Sequence, residues 1–426
     1  MSRSTATDVC LLTAGQPSNN PRLVKEADAL TEAGYTVQVL CVDCGLWPSQ
    51  MDSGVMATRP WDVRYVGGTV QSRPFVHRLA RWRQACCRRM LRWFSGSEML
   101  QLAALVRVGP ELAAAALRHP ARLYIAHHAA VLPVAAKAAA KFDGRVGYDA
   151  EDFYAGIQAP AMFQRNIENI ERRYLPACDY VTASSREIAD AYSKKYRITP
   201  PVTVRNVFPL FQRPAAFRIG RALEPLRLYW FSQCIGSGRG LEDVVGAMAL
   251  LGNCEVELHL RGRWQAGYRE QLFALARSGG VRSHRIVSHE PAPPDDMVRL
   301  AAEYDVGLAL EQPVDRNKTV CLSNKLFVYL LAGNAVAATN VGAQESLVAE
   351  LGSAATSFAP GDIASLASHL HNWYHDRASL EESRRLAWEW GERRYNWDIE
   401  KRAFLSAVES VLPGSGAPVA VNASSI

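Results

Sequence analysis

Apolar and amphipathic segments alternate along most of the 426-residue chain. Val9–Thr13 and Thr36–Cys41 are apolar, β-branched runs that are typical of buried strands. Between them, apolar residues recur at helical spacing. Pro21 is typical of a helix start and Gly34 of a helix end. The chain therefore opens with a βαβ pattern, which predicts a parallel sheet.

The alternation continues to about residue 204 and begins afresh at Leu226. Two successive α/β units are expected, because each half is close to the usual size of a domain. Residues 1–207 are predicted to form an N-terminal Rossmann-like domain and residues 208–225 a linker. Residues 226–385 are predicted to form a second Rossmann-like domain, 386–412 a C-terminal helical segment and 413–426 a disordered tail. The predicted strands are Val9–Thr13, Thr36–Cys41, Leu123–Ala126, Val146–Asp149, Tyr180–Ala183, Val202–Val204, Leu226–Phe231, Val256–Leu260 and Val306–Leu310.

Charge and composition exclude several classes of protein. Lys and Arg number 48 against 42 Asp and Glu, and a net charge of +6 is too mild to indicate a nucleic-acid partner. No apolar run is long enough to span a bilayer, and no signal peptide is evident at the start, so we expect a cytoplasmic protein. Cys41 and Cys44 have CxxC spacing, but no second CxxC or HxxxH is expected to complete a zinc site, so buried structural thiols are expected.

A glycine-rich loop, Gly236–Gly240, lies between a predicted strand and a predicted helix. Glycines let backbone N–H groups approach an anion, and the helix N-terminus favours negative charge. Arg239 within this loop can supply a full positive charge to a phosphate. A simple tight turn is the alternative, whereas a dinucleotide fingerprint requires GxGxxG spacing and the loop has GxGxG.

A second candidate is the predicted helix that starts at Ser323 or Asn324 and ends at Gly333. Lys325 stands in its first turn, where a cation opposes the helix dipole unless a bound anion is present. The helix is therefore either a phosphate site or an ordinary helix with a solvated lysine.

A third candidate is formed by two strand ends. Ala126-His127-His128 follows one predicted strand, and Glu151 and Asp152 follow the next. Open α/β sheets bind ligands at the carboxyl ends of their strands, where these side chains could contact sugar hydroxyls or move a proton. Structural histidines remain the alternative.

Arg73–Phe94 is the most basic segment, with seven arginines and no acidic residue. On a helical wheel one face carries Phe75, Leu79, Trp82, Cys86, Met90 and Trp93, and the other carries Arg78, Arg81, Arg88, Arg89 and Arg92, while Arg83 breaks the pattern. This composition is typical of a helix that lies on a membrane surface. The alternatives are a helix that packs its apolar stripe on its own domain, or an RNA-binding helix.

Together the motifs resemble the GT-B glycosyltransferases, particularly the retaining GT4-like group. The resemblance spans almost the whole chain and rests on PRLVKEADALTEAGYTVQVL, LYIAHHAAVLPVAAKAAA, GYDAEDF, CDYVTASSREIADAY, SGRGLEDVVGAM, YDVGLALEQ and SNKLFVYLLAGNAVAATNVG. It implies two Rossmann-like domains that face each other across a cleft, followed by a helical return.

The resemblance also implies the site residues. The expected catalytic side chains are His127, which would face the reacting sugar, Glu151 and Asp152. The expected donor-binding residues are Gly15, Ser232, Gly238, Arg239, Glu311, Asn324, Lys325 and Leu326. Many members have two glutamates separated by seven residues, where this chain has Val320 and Val328, so recognition of the nucleoside is expected to differ and to use Glu311.

The expected activity is transfer of a hexose-type sugar from a nucleotide sugar to a glycan or lipid-linked acceptor, with retention and without a metal or other cofactor. Docking on an anionic membrane through residues 75–94 is expected if the acceptor is lipid-linked. Two other functions remain open: a GT-B-shaped scaffold without transfer activity, and a nucleotide-sugar epimerase.

Overall fold

The computed structural model describes residues 7–43, 52–57, 59–91, 93, 97–219 and 224–412. The first half of the chain folds into a parallel sheet covered by helices. Its strands are β1 (Thr7–Thr13), β2 (Val37–Val42), β3 (Asp62–Val66), β4 (Ala121–His127), β5 (Arg145–Ala150), β6 (Tyr180–Ala183) and β7 (Val202–Thr203). Its helices are α1 (Pro21–Glu32), α2 (Pro74–Met90), α3 (Glu98–Leu105), α4 (Gly109–Ala116), α5 (Leu132–Phe142), α6 (Ala161–Tyr174) and α7 (Arg186–Tyr196).

The second half repeats this architecture. Its strands are β8 (Leu226–Ile235), β9 (Val256–Trp264), β10 (Ile286–His289), β11 (Val306–Ala309), β12 (Ala335–Thr339) and β13 (Ala355–Phe358). The helices are α8 (Leu241–Leu250), α9 (Tyr268–Ser278), α10 (Met297–Ala301), α11 (Arg316–Val320), α12 (Asn324–Ala332), α13 (Ala343–Leu351), α14 (Ile363–His375), α15 (Arg377–Arg393) and α16 (Trp397–Val411).

The two sheets have the same strand order. The first runs β3-β2-β1-β4-β5-β6-β7 and the second β10-β9-β8-β11-β12-β13. Both contain the 3-2-1-4-5-6 order of a Rossmann fold, in which the order reverses beside the first strand and ligands bind at that point. The expectation of two Rossmann-like domains is therefore confirmed.

Local sequence explains where the first helix begins. The Asn20 side chain accepts a hydrogen bond from the Leu23 backbone N–H at 3.0 Å, and Pro21 occupies the first helical position. The predicted strands are all present, but the prediction omitted β3, β10, β12 and β13. β12 is the clearest case, because its sequence AVAAT is rich in alanine, which is depleted in strands. Burial between two neighbouring strands of a parallel sheet, β11 and β13, overrides that preference.

The C-terminal segment joins the two domains a second time. α15 packs against the second domain, and the chain then crosses so that α16 packs against α1. Glu400 of α16 pairs with Arg205 at 2.9 Å, and Tyr35 donates a hydrogen bond to the Leu412 carbonyl at 3.0 Å. The predicted boundary at residue 386 falls inside α15, so the return consists of α16. The predicted tail, 413–426, lies outside the described residues.

Helix α2 lies on the surface of the first domain and has three faces. Ala80, Cys87 and the adjoining Leu91 are buried against the domain. Arg83, which broke the two-face pattern, pairs with Glu111 at 2.5 Å beside this inner face. The aromatic stripe is not packed on the protein, since Phe75, Trp82 and Trp93 are 77%, 68% and 81% exposed. Exposed arginines occupy the third face: Arg78, Arg81, Arg88 and Arg89. Arg92 lies outside the described residues.

None of the described helices is long and apolar enough to span a membrane by itself. α3 and α4 meet the length and composition test only as a pair, which is bent by 114°.

Candidate functional site

A cavity of about 400 Å³ lies between the two domains at the carboxyl ends of both sheets. The first domain contributes residues that follow β1, β5 and β6, and the second contributes residues from β8, β9 and the segments after β10 and β11. The strand order of each sheet reverses beside β1 and β8 respectively, so the cavity lies where a doubly wound fold places its ligand. Of the predicted site residues, the cavity wall contains Glu151, Asp152, Ser232, Glu311, Asn324 and Lys325.

Two lysines share one carboxylate on the wall of the second domain. Glu311 lies 3.1 Å from the Lys318 ammonium and 3.7 Å from the Lys325 ammonium. Burial alone would raise the pKa of Glu311, but the two lysines outweigh it and lower the pKa to about 2. Burial lowers the pKa of Lys325, and Lys318 and Arg239 act in the same direction, against Glu311. Two ammonium groups thus face a single carboxylate, so an anion bound beside them would stabilise the group.

The N-terminus of α12 faces the same part of the cavity. Asn324 and Lys325 form its first turn and line the wall, and Ser323 precedes it without making a side-chain cap to the helix. The first N–H groups of the helix, with their positive dipole end, therefore lie at the same wall as the two lysines. Leu326 was expected to line the cavity, but its side chain is fully buried in the core. The helical rotation between Lys325 and Leu326 turns the leucine toward the core.

The glycine-rich loop adjoins the cavity without forming its wall. Gly238 and Gly240 have φ values of 70° and 73°, a conformation that side chains with a Cβ rarely adopt. Gly238 and Arg239 are exposed, and none of the described residues that line the cavity comes from this loop. Arg239 is nevertheless close enough to influence the charge of Lys325. The expectation that Arg239 binds phosphate directly stays a prediction.

Several residues of the cavity wall were not predicted from the sequence. Arg261, near the carboxyl end of β9, donates hydrogen bonds to the Tyr229 hydroxyl at 2.9 Å and to the Glu290 carbonyl at 2.8 Å. Lys318 was missed because it precedes the recognised helix, although its position after a strand end was a usable signal. The other missed residues include Asn19, Ser184, Asn206, Pro291, Ala292 and Met297.

The first domain contributes two carboxyl groups. Glu151 and Asp152 follow β5, and the Asp152 carboxylate accepts a hydrogen bond from the Asn317 side chain of the second domain at 2.9 Å. Burial raises the pKa of Glu151 to about 7, with further contributions from Asp152 and Asp149. Near neutral pH, Glu151 can therefore either accept or donate a proton at the cavity wall.

His127 requires a correction, because its side chain does not face the cavity. The imidazole is completely buried, with Nε2 3.1 Å from the Glu26 carboxylate and Nδ1 3.3 Å from the Asp149 carboxylate. Arg22 is bidentate to Asp149 at 2.7 and 2.8 Å. Burial opposes the charged imidazole, but Glu26 and Asp149 outweigh it and raise the pKa of His127 to about 10. The buried carboxylates attract the histidine inward, where it completes an ion cluster behind the wall.

The next residue has an unusual backbone conformation. His128 has a φ of 97°, and its Nδ1 accepts a hydrogen bond from the Ala130 N–H at 3.0 Å. Its ring packs on Tyr154 at 4.4 Å, and burial lowers the pKa to about 4, so the imidazole is neutral at pH 7. Gly15, another expected donor contact, hydrogen-bonds within its own loop and does not form part of the wall.

Chemically, the cavity has a cationic side and an acidic side. The second domain offers two lysines and a helix N-terminus, which suit a phosphate or diphosphate. The first domain offers carboxyl groups, which suit hydroxyl groups or a proton in transfer. Glu26, His127 and Asp149 are spaced like metal ligands, but Arg22 and the protonated His127 already balance the two carboxylates of that cluster.

The chain was compared with protein families, curated proteins and solved structures. No family model and no curated protein matches it. HepE from Anabaena in complex with UDP superposes with a TM-score of 0.66 at 15% identity, covering 95% of this chain and 100% of that chain. Sucrose-phosphate synthase from Thermosynechococcus elongatus gives 0.69 at 14% identity, covering 95% and 98%.

A third similar structure is WaaG, a glycosyltransferase involved in lipopolysaccharide biosynthesis, with a TM-score of 0.60 at 13% identity over 95% of this chain and 100% of that chain. These likenesses run through both domains and the helical return, in agreement with the paired Rossmann-like sheets and the cavity between them. The chain therefore has the GT-B fold.

Proposed function

We propose that the protein is a glycosyltransferase that moves a sugar from a nucleotide-sugar donor to an acceptor. The observation that carries this proposal is the cavity between the domains, with its cationic wall on one side and its carboxyl groups on the other. The structures of HepE with UDP and with UDP-glucose support a nucleotide-sugar donor for this fold. TarM, crystallised with UDP and α-GlcNAc-glycerol, supports an acceptor bound in the same type of protein.

In this proposal, the second domain holds the diphosphate. Lys318, Lys325 and the first N–H groups of α12 neutralise the departing nucleoside diphosphate, so that no metal is required. The charge balance favours this arrangement, because Glu311 satisfies only one of the two lysines. An anion beside Lys325 also reverses the effect of burial and keeps this ammonium group charged.

The first domain would bind the acceptor. Glu151 and Asp152, which line the cavity, would hold and orient the acceptor hydroxyls. His127 would have a structural role behind the wall, since its charge balances the buried carboxylates of Glu26 and Asp149. We propose that the reaction proceeds with retention. The departing phosphate would take the proton of the acceptor hydroxyl, so that no carboxylate nucleophile is needed. A hexose is the proposed sugar.

Donor screening tests the proposal. Purified protein is incubated with a panel of nucleotide sugars, and nucleotide release is measured with and without candidate acceptors. The expected result is acceptor-stimulated release from one donor class, which Lys325→Ala abolishes and the exposed Lys194→Ala preserves. No binding to any nucleotide sugar by calorimetry would overturn the proposal in favour of a scaffold. Isomerisation of the donor in the absence of acceptor would indicate an epimerase.

We further propose that transfer takes place at an anionic membrane surface, with a lipid-linked acceptor. The aromatic stripe of α2 is exposed rather than packed on the domain, which removes the main structural alternative for it. Its exposed arginines lie beside the stripe, so both can meet lipid headgroups while Ala80 and Cys87 hold the helix to the domain.

Liposome co-sedimentation tests the membrane proposal. Each arginine near an anionic surface is worth about 1 kcal/mol, so changing Arg78, Arg81 and Arg89 to Gln should weaken binding about a hundredfold. Wild-type binding should also fall with added salt. The matched control changes three exposed arginines of the second domain, Arg269, Arg277 and Arg282, and should bind like wild type. Wild-type protein that stays in the supernatant with anionic vesicles at low salt would overturn this proposal and leave the transferase proposal intact.

A further inference from the structure

A cysteine and two histidines meet on the surface of the second domain, away from the cavity. His371 and His375 are one turn apart on the exposed side of α14, with ring centroids 4.3 Å apart. Cys254 lies in the turn between α8 and β9, and its Sγ is 3.8 Å from His375 Nε2. One ligand atom from each of the three residues lies within 4.8 Å of the other two.

From this geometry we propose that Cys254, His371 and His375 form a zinc site. A thiolate and imidazoles are the ligands that zinc prefers, and tetrahedral Zn²⁺ places its sulfur and nitrogen ligands about 3.5 Å apart. The observed Sγ–Nε2 distance is close to that value, so only small side-chain adjustments are needed. Three protein ligands leave the fourth position to water.

The backbone that carries the thiol is held in place independently of any metal. Arg285 donates hydrogen bonds to the Cys254 carbonyl at 2.9 Å and to the Gly252 carbonyl at 3.4 Å. The same guanidinium contacts the Glu255 carboxylate at 2.7 Å, which offsets its charge. The turn is therefore fixed against the domain, while the helix supplies both imidazoles from one face.

The position of the site shows what it can do. Cys254 precedes β9, whereas Arg261, near the other end of that strand, lines the cavity. The metal would therefore sit at the amino-terminal edge of the sheet, opposite the donor side, and take no part in transfer. Its effect would be to connect the turn after α8 to α14 and stabilise the second domain. The inference does not depend on the proposed function.

Cobalt substitution tests the site in the full-length, metal-free protein. Titration with Co²⁺ should produce a thiolate-to-cobalt charge-transfer band, which Zn²⁺ then removes by displacement. The carboxylate–histidine cluster around His127 has no thiolate, so it cannot give this band. Zn²⁺ should also raise the melting temperature of the wild-type protein.

Variants identify the ligands. Cys254→Ser should abolish the band, and His371→Gln should weaken Zn²⁺ affinity at least tenfold, because losing even an outer-shell partner costs about 10–100-fold. His371 is exposed, so its replacement leaves the fold intact. Cys86→Ser and His284→Gln are the matched controls and should bind like wild type. A wild-type titration without the band, or equal affinity in wild type and His371→Gln, would overturn the proposal.

Discussion

Replacing His127 with glutamine separates a structural role of this residue from a catalytic one. The wild-type imidazolium lies between two buried carboxylates, those of Glu26 and Asp149, at 3.1 and 3.3 Å. The substitution removes one of the two buried cations and leaves Arg22 alone to balance both acids. We expect a large loss of stability and a folded protein that, at low temperature, retains activity per folded molecule.

The magnitude follows from the shift in pKa. Folding raises the pKa of His127 from 6.5 to about 10, which corresponds to about 5 kcal/mol of stabilisation of the charged form. Loss of one member of a buried ion pair costs about 3–5 kcal/mol, which is the same range. This contribution is complete below pH 6.5 and is lost as the pH rises toward 10, because the unfolded histidine deprotonates first.

Urea unfolding at several pH values, followed by tryptophan fluorescence, measures this effect. The difference between wild type and His127→Gln should be largest near pH 6 and shrink by up to about 1.4 kcal/mol per pH unit above it. His284→Gln, in an exposed turn, is the control and should show no such trend. A difference that does not change with pH would refute the buried imidazolium. Loss of nucleotide release with unchanged stability would instead make His127 a catalytic residue.

Three further predictions concern the cavity. Lys325→Ala should reduce the rate of nucleotide release about 10²–10³-fold, corresponding to 2–4 kcal/mol, and full activity on the true donor would contradict the assignment. Arg239→Ala should have a smaller effect in the same assay, because the side chain is exposed beside the cavity, and a larger effect than Lys325→Ala would show that the loop moves onto the donor. Glu151→Gln should raise the melting temperature at pH 8 relative to wild type and leave it unchanged near pH 4. The reason is the raised pKa of Glu151, because of which the wild-type protein loses stability as the pH rises from 4.5 through about 7. Equal differences at both pH values would contradict it.

Most of the fold could be predicted from the sequence, because strand and helix patterns alternate and each pattern is local. The cationic wall could also be predicted from the sequence, because Asn324 and Lys325 belong to one helix start. The orientation of the His127 side chain could not be predicted, because it depends on Arg22, Glu26 and Asp149, which only the fold brings together.

The cysteine–histidine cluster was missed for a related reason. His371 and His375 have HxxxH spacing, but Cys254 lies more than a hundred residues earlier in the chain. A zinc pattern with a single distant cysteine has no local signal, and the expectation that no HxxxH pair follows Cys41 and Cys44 was wrong. Whether the aromatic stripe of α2 is buried could not be predicted from the sequence either. A helical wheel shows which residues share a face, but not which face packs against the protein.

The return of α16 has a mechanical consequence. The chain passes between the domains twice, once through the segment between β7 and β8 and once between α15 and α16. The two crossings lie side by side, because the Trp397 N–H donates a hydrogen bond to the Phe208 carbonyl at 2.9 Å and the Leu210 N–H donates one to the Asp398 carboxylate at 2.9 Å. A movement of one domain against the other must therefore bend both segments together, and the paired crossing resists rotations that a single linker would permit.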